Sequence, residues 1–348
     1  MPQMTVLEIL NRTKAFFEKK GVPDALLDAQ YIISHGLGMK SRMDLYLNFE
    51  KPLTPAELDV LRPLVARRAA REPLQHIVGD TSFRGHSIKC DPRALIPRPE
   101  TEELVDMAKK SLENIATPFI VEVGTGTGAI AISCAKEIEA AHVLATDVSE
   151  EALALAKENA DANGLGSTAA SAASATSAAG ENAATSAATS AAGENAATSA
   201  ASAAGASADS TGSSTSSATL TFAQGDLLDA VMPEAVAKAA GDASAKINCL
   251  IANLPYIPDG EKGKLQPEVD KFDPALALYG GPDGLMLVRK MLAQTEGKMA
   301  AGASILLEIG SEQAKTLEAE AANYPWLEFT GSHKDFCGNV RFVSYKAK

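Results

Sequence analysis

Phe119-Ile120-Val121-Glu122-Val123-Gly124-Thr125-Gly126-Thr127-Gly128 decides the fold. An apolar run of strand length gives way to glycine at every second position, and helix-forming residues begin at Ala129. Glycines at a strand-to-helix turn let the backbone bend tightly and come close to a ligand, while the helix N-terminus offers unpaired N–H donors. Residues 142–146 read as a second strand, closed by Asp147, whose carboxylate can accept from both hydroxyls of a ribose. Loop and carboxylate together signal nucleoside binding. Dinucleotide enzymes space their glycines G-x-G-x-x-G, whereas this loop reads G-x-G-x-G.

The same alternation continues outward. Strand signals at 119–123, 142–146, 220–223 and 248–252 are interleaved with helices from Ala129 and Glu150, which predicts a parallel sheet covered by helices on both faces. Gly225-Asp226-Leu227 brings Asp226 near the same crevice, although an Asp after Gly also serves as a turn or helix cap. Asn253-Leu254-Pro255-Tyr256 leaves an apolar strand at the carboxyl edge, where open α/β sheets bind their ligands. Asn253 offers a carbonyl acceptor, the Leu254 backbone a second, Pro255 rigidity and Tyr256 an aromatic face. These parts suit a planar NH₂ group, whose lone pair is delocalised and whose nitrogen is oriented and polarised when two acceptors hold its hydrogens. The four residues also fit a plain strand exit with an Asn-x-Pro turn.

Toward the N-terminus, apolar residues recur at three and four over the first 75 residues, punctuated by Pro23, Gly36 and Pro52, so a small helical domain is expected. Thr54-Pro55-Ala56-Glu57 supplies a cap, a proline at the first helical position and a glutamate at the third. The helix it opens carries Arg62, Arg67, Arg68 and Arg71, read first as a solvated face and second as a partner-facing edge. Residues 79–96 break into short extended pieces, a hairpin, before Ile96-Pro97-Arg98-Pro99-Glu100-Thr101-Glu102 leads into a helix. Glu100 suits a cap for that helix. Residues 167–218 lack Val, Ile, Leu, Met, Phe, Trp and Tyr and repeat TSAAGENAATSAA at 176–188 and 189–201, so they read as a disordered Ser/Ala-rich insertion.

Across 348 residues, 46% hydrophobic and 22% charged, the composition is that of a globular chain and excludes wholesale disorder. No apolar run reaches membrane length and charged residues interrupt the first twenty, so neither a membrane span nor a signal peptide fits and a cytoplasmic location is expected. Cys90, Cys134, Cys249 and Cys337 are far apart, which predicts reduced, mostly buried thiols. The five histidines show no ligand spacing, and no metal is expected. Residues 1–100 carry 15 Lys/Arg against 12 Asp/Glu within a total charge of −12, so a basic start precedes an acidic body, which argues against nucleic acid as a partner.

Beyond the glycine loop and Asn253 to Tyr256, the chain contains Glu72-Pro73-Leu74-Gln75-His76-Ile77-Val78-Gly79, the 95–102 segment, Pro267-Glu268-Val269, Gly280-Gly281-Pro282-Asp283-Gly284-Leu285 and Leu307-Glu308-Ile309-Gly310. In these it resembles the release factor glutamine methyltransferases, the HemK/PrmC family. That resemblance implies S-adenosylmethionine as cofactor, class-1 peptide-chain release factors as protein substrate, and methylation of the Gly-Gly-Gln glutamine nitrogen in support of translation termination. It implies a helical substrate-docking domain over 1–77, a β-hairpin linker over 78–97 and a seven-stranded Rossmann-like class I methyltransferase domain over 98–348. By the same resemblance Gly124, Thr125, Gly126, Thr127 and Gly128 contact the methionine part of the cofactor, Asp147 its ribose, and Asp226 with Leu227 its adenine end. Asn253, Leu254, Pro255 and Tyr256 hold the glutamine, with Arg98 and Glu100 lining its slot.

This sequence departs from the family pattern at two places. Leu254 stands where the family usually has proline, and Leu227 where many relatives carry an aromatic residue. Asn-Leu-Pro-Tyr is also the form seen in rRNA adenine dimethyltransferases, so an adenine-N6 methyltransferase acting on RNA or DNA is the alternative enzyme. A non-catalytic S-adenosylmethionine-binding protein is the alternative outside catalysis.

Overall fold

The computed structural model describes residues 4–166 and 218–348, so the expected insertion over 167–218 lies outside the described residues but for Ala218. Helices α1 (Val6–Lys19), α2 (Ala25–Gly36), α3 (Arg42–Leu47), α4 (Pro55–Ala69) and α5 (Leu74–Val78) open the chain. Thr5 with Glu8 and Thr54 with Glu57 close full capping boxes on α1 and α4. In each, the threonine hydroxyl accepts from an otherwise orphaned amide and the glutamate accepts from the cap's own N–H. Val6, Leu10, Phe17, Ile32, Ile33 and Leu61 fill the space between these helices, each fully buried aliphatic contributing roughly 1.5–3 kcal/mol.

The α4 arginines overturn the expectation of a solvated face. Arg68 is 5% exposed; its Nε donates to Asp28 at 2.6 Å and its Nη1 to Glu268 at 3.0 Å. Arg71 lies beyond the helix at φ 72 and forks onto both oxygens of Glu268 at 2.6 Å. A buried guanidinium needs carboxylates for its donors, and Glu268 arrives from nearly two hundred residues away. Only Arg62 and Arg67, in partly exposed pairs with Asp59 and Glu72, fit the solvated reading.

Strands β1 (Asp80–Phe83) and β2 (His86–Lys89) form an antiparallel hairpin whose turn residues, Arg84 and Gly85, both have positive φ, the two-residue geometry that matches strand twist. Phe83 and Ile88 insert into the core beneath the main sheet. The Arg84 guanidinium is held by Glu137 at 2.7 Å and Asp106 at 2.8 Å.

The remaining elements are α6 (Glu102–Leu112), β3 (Phe119–Val123), α7 (Ala129–Glu137), β4 (His142–Asp147), α8 (Glu150–Ala162), β5 (Thr219–Gln224), α9 (Pro233–Ala240) and β6 (Ile247–Ala252). They continue with α10 (Pro267–Phe272), α11 (Met286–Gln294), β7 (Met299–Glu308), α12 (Ala314–Glu320), β8 (Leu327–Lys334) and β9 (Val340–Ala347). Seven strands share one sheet in the order β5-β4-β3-β6-β7-β9-β8. The first five run parallel and β9 is antiparallel to both its neighbours. Both faces are buried: Val121, Val123, Leu250 and Leu307 enter one apolar layer, and Ile120, Val143, Ile251 and Leu306 the other, as the two-residue period of a strand requires. This is the Rossmann-like class I methyltransferase architecture expected from the alternation and the resemblance. Of the cysteines, Cys90, Cys134 and Cys249 are buried free thiols and Cys337 is exposed. Among the described residues no helix is long and apolar enough to cross a membrane.

Candidate active site

Strand register lines up the site. Ala223 pairs with Thr146, Thr146 with Val123, Val123 with Ala252, and Ala252 with Leu307. The residues that follow these partners are Gln224, Asp147, Gly124, Asn253 and Glu308, so groups scattered over 185 positions of sequence emerge side by side along the carboxyl edge. Strand order reverses between β3 and β6, and that gap is where open α/β sheets bind ligands.

Gly124, Gly126 and Gly128 have φ values of 74, 55 and 82, a region L side chains rarely adopt. At Gly128 a Cβ would also press on Ala156 at 3.1 Å. Asp147 accepts the Gly126 amide at 2.9 Å and the Ser149 amide at 2.9 Å. These bonds hold its carboxylate against the loop, while burial pushes its pKa up. Two supports escaped sequence reasoning. Glu122, 2% exposed, accepts the Thr125 hydroxyl at 2.6 Å and the Ala131 amide at 3.0 Å, bracing the turn from below, and burial pushes its carboxyl up to about 8. Asn159 donates to the Thr127 carbonyl at 2.9 Å. An acid inside an apolar strand was the available signal for Glu122; nothing local marked Asn159.

Asp226 sits at the outer rim of the same crevice, paired with Lys290, and does not cap the short helical turn that follows it. Leu227 is 7% exposed and adopts φ 56, so its backbone takes a left-handed turn that directs it into the core while it still lines the cavity.

The Asn253 tetrapeptide is held from three sides. Gly280 and Gly284 lie against the carbonyls of Pro255 and Tyr256 so closely that a Cβ on either would overlap those oxygens. Gln313 donates to the Tyr256 carbonyl at 2.9 Å and to the Asp283 carbonyl at 3.0 Å. On the third side the Asn253 Nδ2 donates to Thr101 Oγ1 at 3.3 Å, and Thr101 donates to Glu308 at 2.7 Å. Tyr256 donates to the other Glu308 oxygen at 3.5 Å. Burial, with the Glu308 charge beside it, pushes the Tyr256 hydroxyl up to about 12 and keeps it a donor. The Leu254 side chain is buried beneath Gly124, so the residue replacing the family's proline fills the core under the loop.

Arg98 reaches Asp273 at 3.5 Å, and burial pushes that carboxyl up to about 6. Glu100 caps nothing among the described residues, since α6 starts without a side-chain cap, and it lies outside the lining of the site's cavities. Its charge is felt by Glu308.

A cavity of about 330 Å³ runs from the glycine loop past Asp147 and Leu227 to Asn253. A second, of about 230 Å³, holds Tyr256 and Glu308. Asn253, Leu254 and Arg98 line both. One cavity thus borders the glycine loop and the Asp147 carboxylate, the other borders Tyr256 and Glu308, and Asn253 lines both.

Comparison with known proteins agrees with this architecture. A model of the PrmC N-terminal domain matches residues 8–79 and a methyltransferase domain model matches residues 120–206. The release factor glutamine methyltransferase of Deinococcus radiodurans is 31% identical over 340 residues, covering 98% of each chain. That of Geobacter sulfurreducens is 31% identical over 313 residues, 90% of this chain and 87% of the relative. That of Chlorobaculum tepidum is 30% identical over 315 residues, 89% and 87%. With its sheet, glycine loop and Asn253 tetrapeptide in one register and such identity along nearly its whole length, the chain belongs to the release factor glutamine methyltransferase family.

Proposed function

We propose that this protein methylates the side-chain nitrogen of the Gly-Gly-Gln glutamine in a class-1 peptide-chain release factor, with S-adenosylmethionine as donor. The observation that carries the reading is Asn253, which lines both cavities and whose Nδ2 donates to Thr101. The larger chamber suits the cofactor: positive-φ glycines allow close backbone approach, and Asp147 is an acceptor already fixed by two amides. S-adenosylmethionine supplies a methyl group made electrophilic by its cationic sulfur. Asn253 Oδ1 and the Leu254 carbonyl accept the two hydrogens of the glutamine NH₂ and orient its nitrogen. The methylated amide would keep one hydrogen and lose the other as a proton to water. Orienting the glutamine nitrogen in this way would account for most of the acceleration, since effective molarities of well-oriented reactions reach about 10⁵–10⁸ M.

In this reading residues 1–77 dock the release factor, 78–97 link, and 98–348 carry the chemistry. Arg98 and Tyr256 shape the slot, Glu100 acts only through its charge, and Asp226 with Leu227 bounds the adenine end. The body is acidic, which weighs against a nucleic-acid substrate and in favour of a protein one.

The test is incubation of the purified protein with methyl-labelled S-adenosylmethionine and a release factor, beside the same factor with its Gly-Gly-Gln glutamine replaced. Label on the intact motif and none on the replaced one is expected. Label that appears only on unmethylated small-subunit rRNA would overturn the reading.

A further inference from the structure

An asparagine amide has two orientations, and only one turns its oxygen toward the glutamine NH₂. Among the described residues, the side-chain partner of the Asn253 amide is the Thr101 hydroxyl. That hydroxyl has a single hydrogen, and it points to Glu308 Oε2 at 2.7 Å. A hydroxyl that has given its hydrogen away can offer its neighbour only lone pairs. Asn253 must therefore present Nδ2 to Thr101, and its Oδ1 is left for the slot. Glu308 is the origin of this polarity: an ionised carboxylate only accepts, so Thr101 has to donate to it. Its other oxygen takes the Tyr256 hydroxyl at 3.5 Å. Thr101 is 4% exposed and Glu308 2%, and charge-assisted hydrogen bonds away from water are the strong ones.

Resting on the role of Asn253 given above, we infer that Thr101 and Glu308 are positioning residues that fix the acceptor orientation of the Asn253 amide through a directed chain of hydrogen bonds. Neither touches the reacting atoms. The chain reverses when Glu308 takes up a proton: the carboxyl then donates to Thr101, Thr101 donates to Asn253, and the amide turns its NH₂ toward the substrate. The charges that face Glu308 are Arg341, which favours its ionised form, and Glu100, which opposes it; Tyr256 supports the anion by donation. Burial outweighs these and raises its pKa, so the reversal occurs at a higher pH than for a surface glutamate.

The test compares Thr101→Val, Thr101→Ser, Glu308→Gln and Asn253→Ala with the intact protein, measuring kcat, KM for the release factor, cofactor dissociation constant and the pH profile of kcat. Thr101→Val keeps the volume and removes the acceptor, so kcat should fall between about 10- and 100-fold. Cofactor affinity and KM should stay within a few-fold, and Thr101→Ser should recover turnover. The acid limb of kcat should persist in Thr101→Ser and vanish in Thr101→Val. If Thr101→Val does not fold, Glu308→Gln carries the test through the pH profile: its amide can hold Thr101 by its oxygen or its NH₂ but cannot take up a proton, so the acid limb is expected to vanish. Full turnover in Thr101→Val, or an acid limb that persists in Glu308→Gln, while Asn253→Ala is impaired would overturn the inference and leave Asn253 in its role. Full turnover in Asn253→Ala would overturn the role of Asn253 itself, and the inference with it.

Discussion

Gly284 and the carbonyl of Tyr256 are packed so that no other residue fits at position 284: a Cβ there would overlap the carbonyl oxygen, and φ is 78. The Gly280-to-Leu285 segment is therefore a backing plate for the Asn253 tetrapeptide. Gly79 also has positive φ, 94, but a Cβ there would meet nothing within 4 Å. Gly79→Ala should cost only the strain of a left-handed residue, about 1–2 kcal/mol. Gly284→Ala should add overpacking of about 1–3 kcal/mol and reduce kcat by displacing Tyr256. Urea unfolding of the two variants checks this, and equal destabilisation would show that the contact relaxes freely.

Asn253→Ala removes the acceptor from the slot while leaving the cofactor chamber walls in place. The expected loss is about 2.7–4 kcal/mol of transition-state stabilisation, by analogy with deleting one oxyanion-hole donor. Single-turnover kinetics and calorimetric titration with S-adenosylmethionine separate chemistry from binding. Turnover at the level of the intact protein would remove Asn253 from the reaction.

Asp28→Ala should destabilise the protein by about 3 kcal/mol. Removing one partner of a buried ion pair strands the other charge, at about 3–5 kcal/mol, and Arg68 retains Glu268 at 3.0 Å as a second partner, which favours the lower end. Thermal and denaturant unfolding read this out. A change within experimental error would mean that Arg68 finds water or another acceptor on its own.

Glu122 makes stability depend on pH. Its carboxyl rises from an ordinary 4.5 to about 8 in the fold, so the folded state binds the proton more tightly than the unfolded one. The stabilisation is complete below the unfolded value and is lost as pH climbs through the folded value, between about 4.5 and about 8. Glu122→Gln keeps an acceptor for Thr125 and Ala131 but cannot ionise. Its unfolding free energy should therefore fall less steeply over that window than that of the intact protein, and parallel curves would show that Glu122 is ionised throughout.

Sequence alone determined the local parts. The strands at 119–123, 142–146, 220–223 and 248–252, the helices from Ala129 and Glu150, the capping box at Thr54, the hairpin within 79–96, the glycine loop, Asp147 and the Asn253 tetrapeptide were readable, because hydrophobic period, turn chemistry and capping act over a few residues, whereas α9 (Pro233–Ala240) was not. Tertiary structure alone decided which parts meet. Thr101 and Glu308 are 207 positions apart, and Arg68 and Glu268 are 200 apart. Taken singly, Arg68 reads as part of a solvated helix face, and nothing local to Thr101, Glu308 or Glu268 points to its partner. What joins them is the register of parallel strands and the desolvation of groups that must find partners on burial, and both depend on contacts between distant segments that no local period encodes.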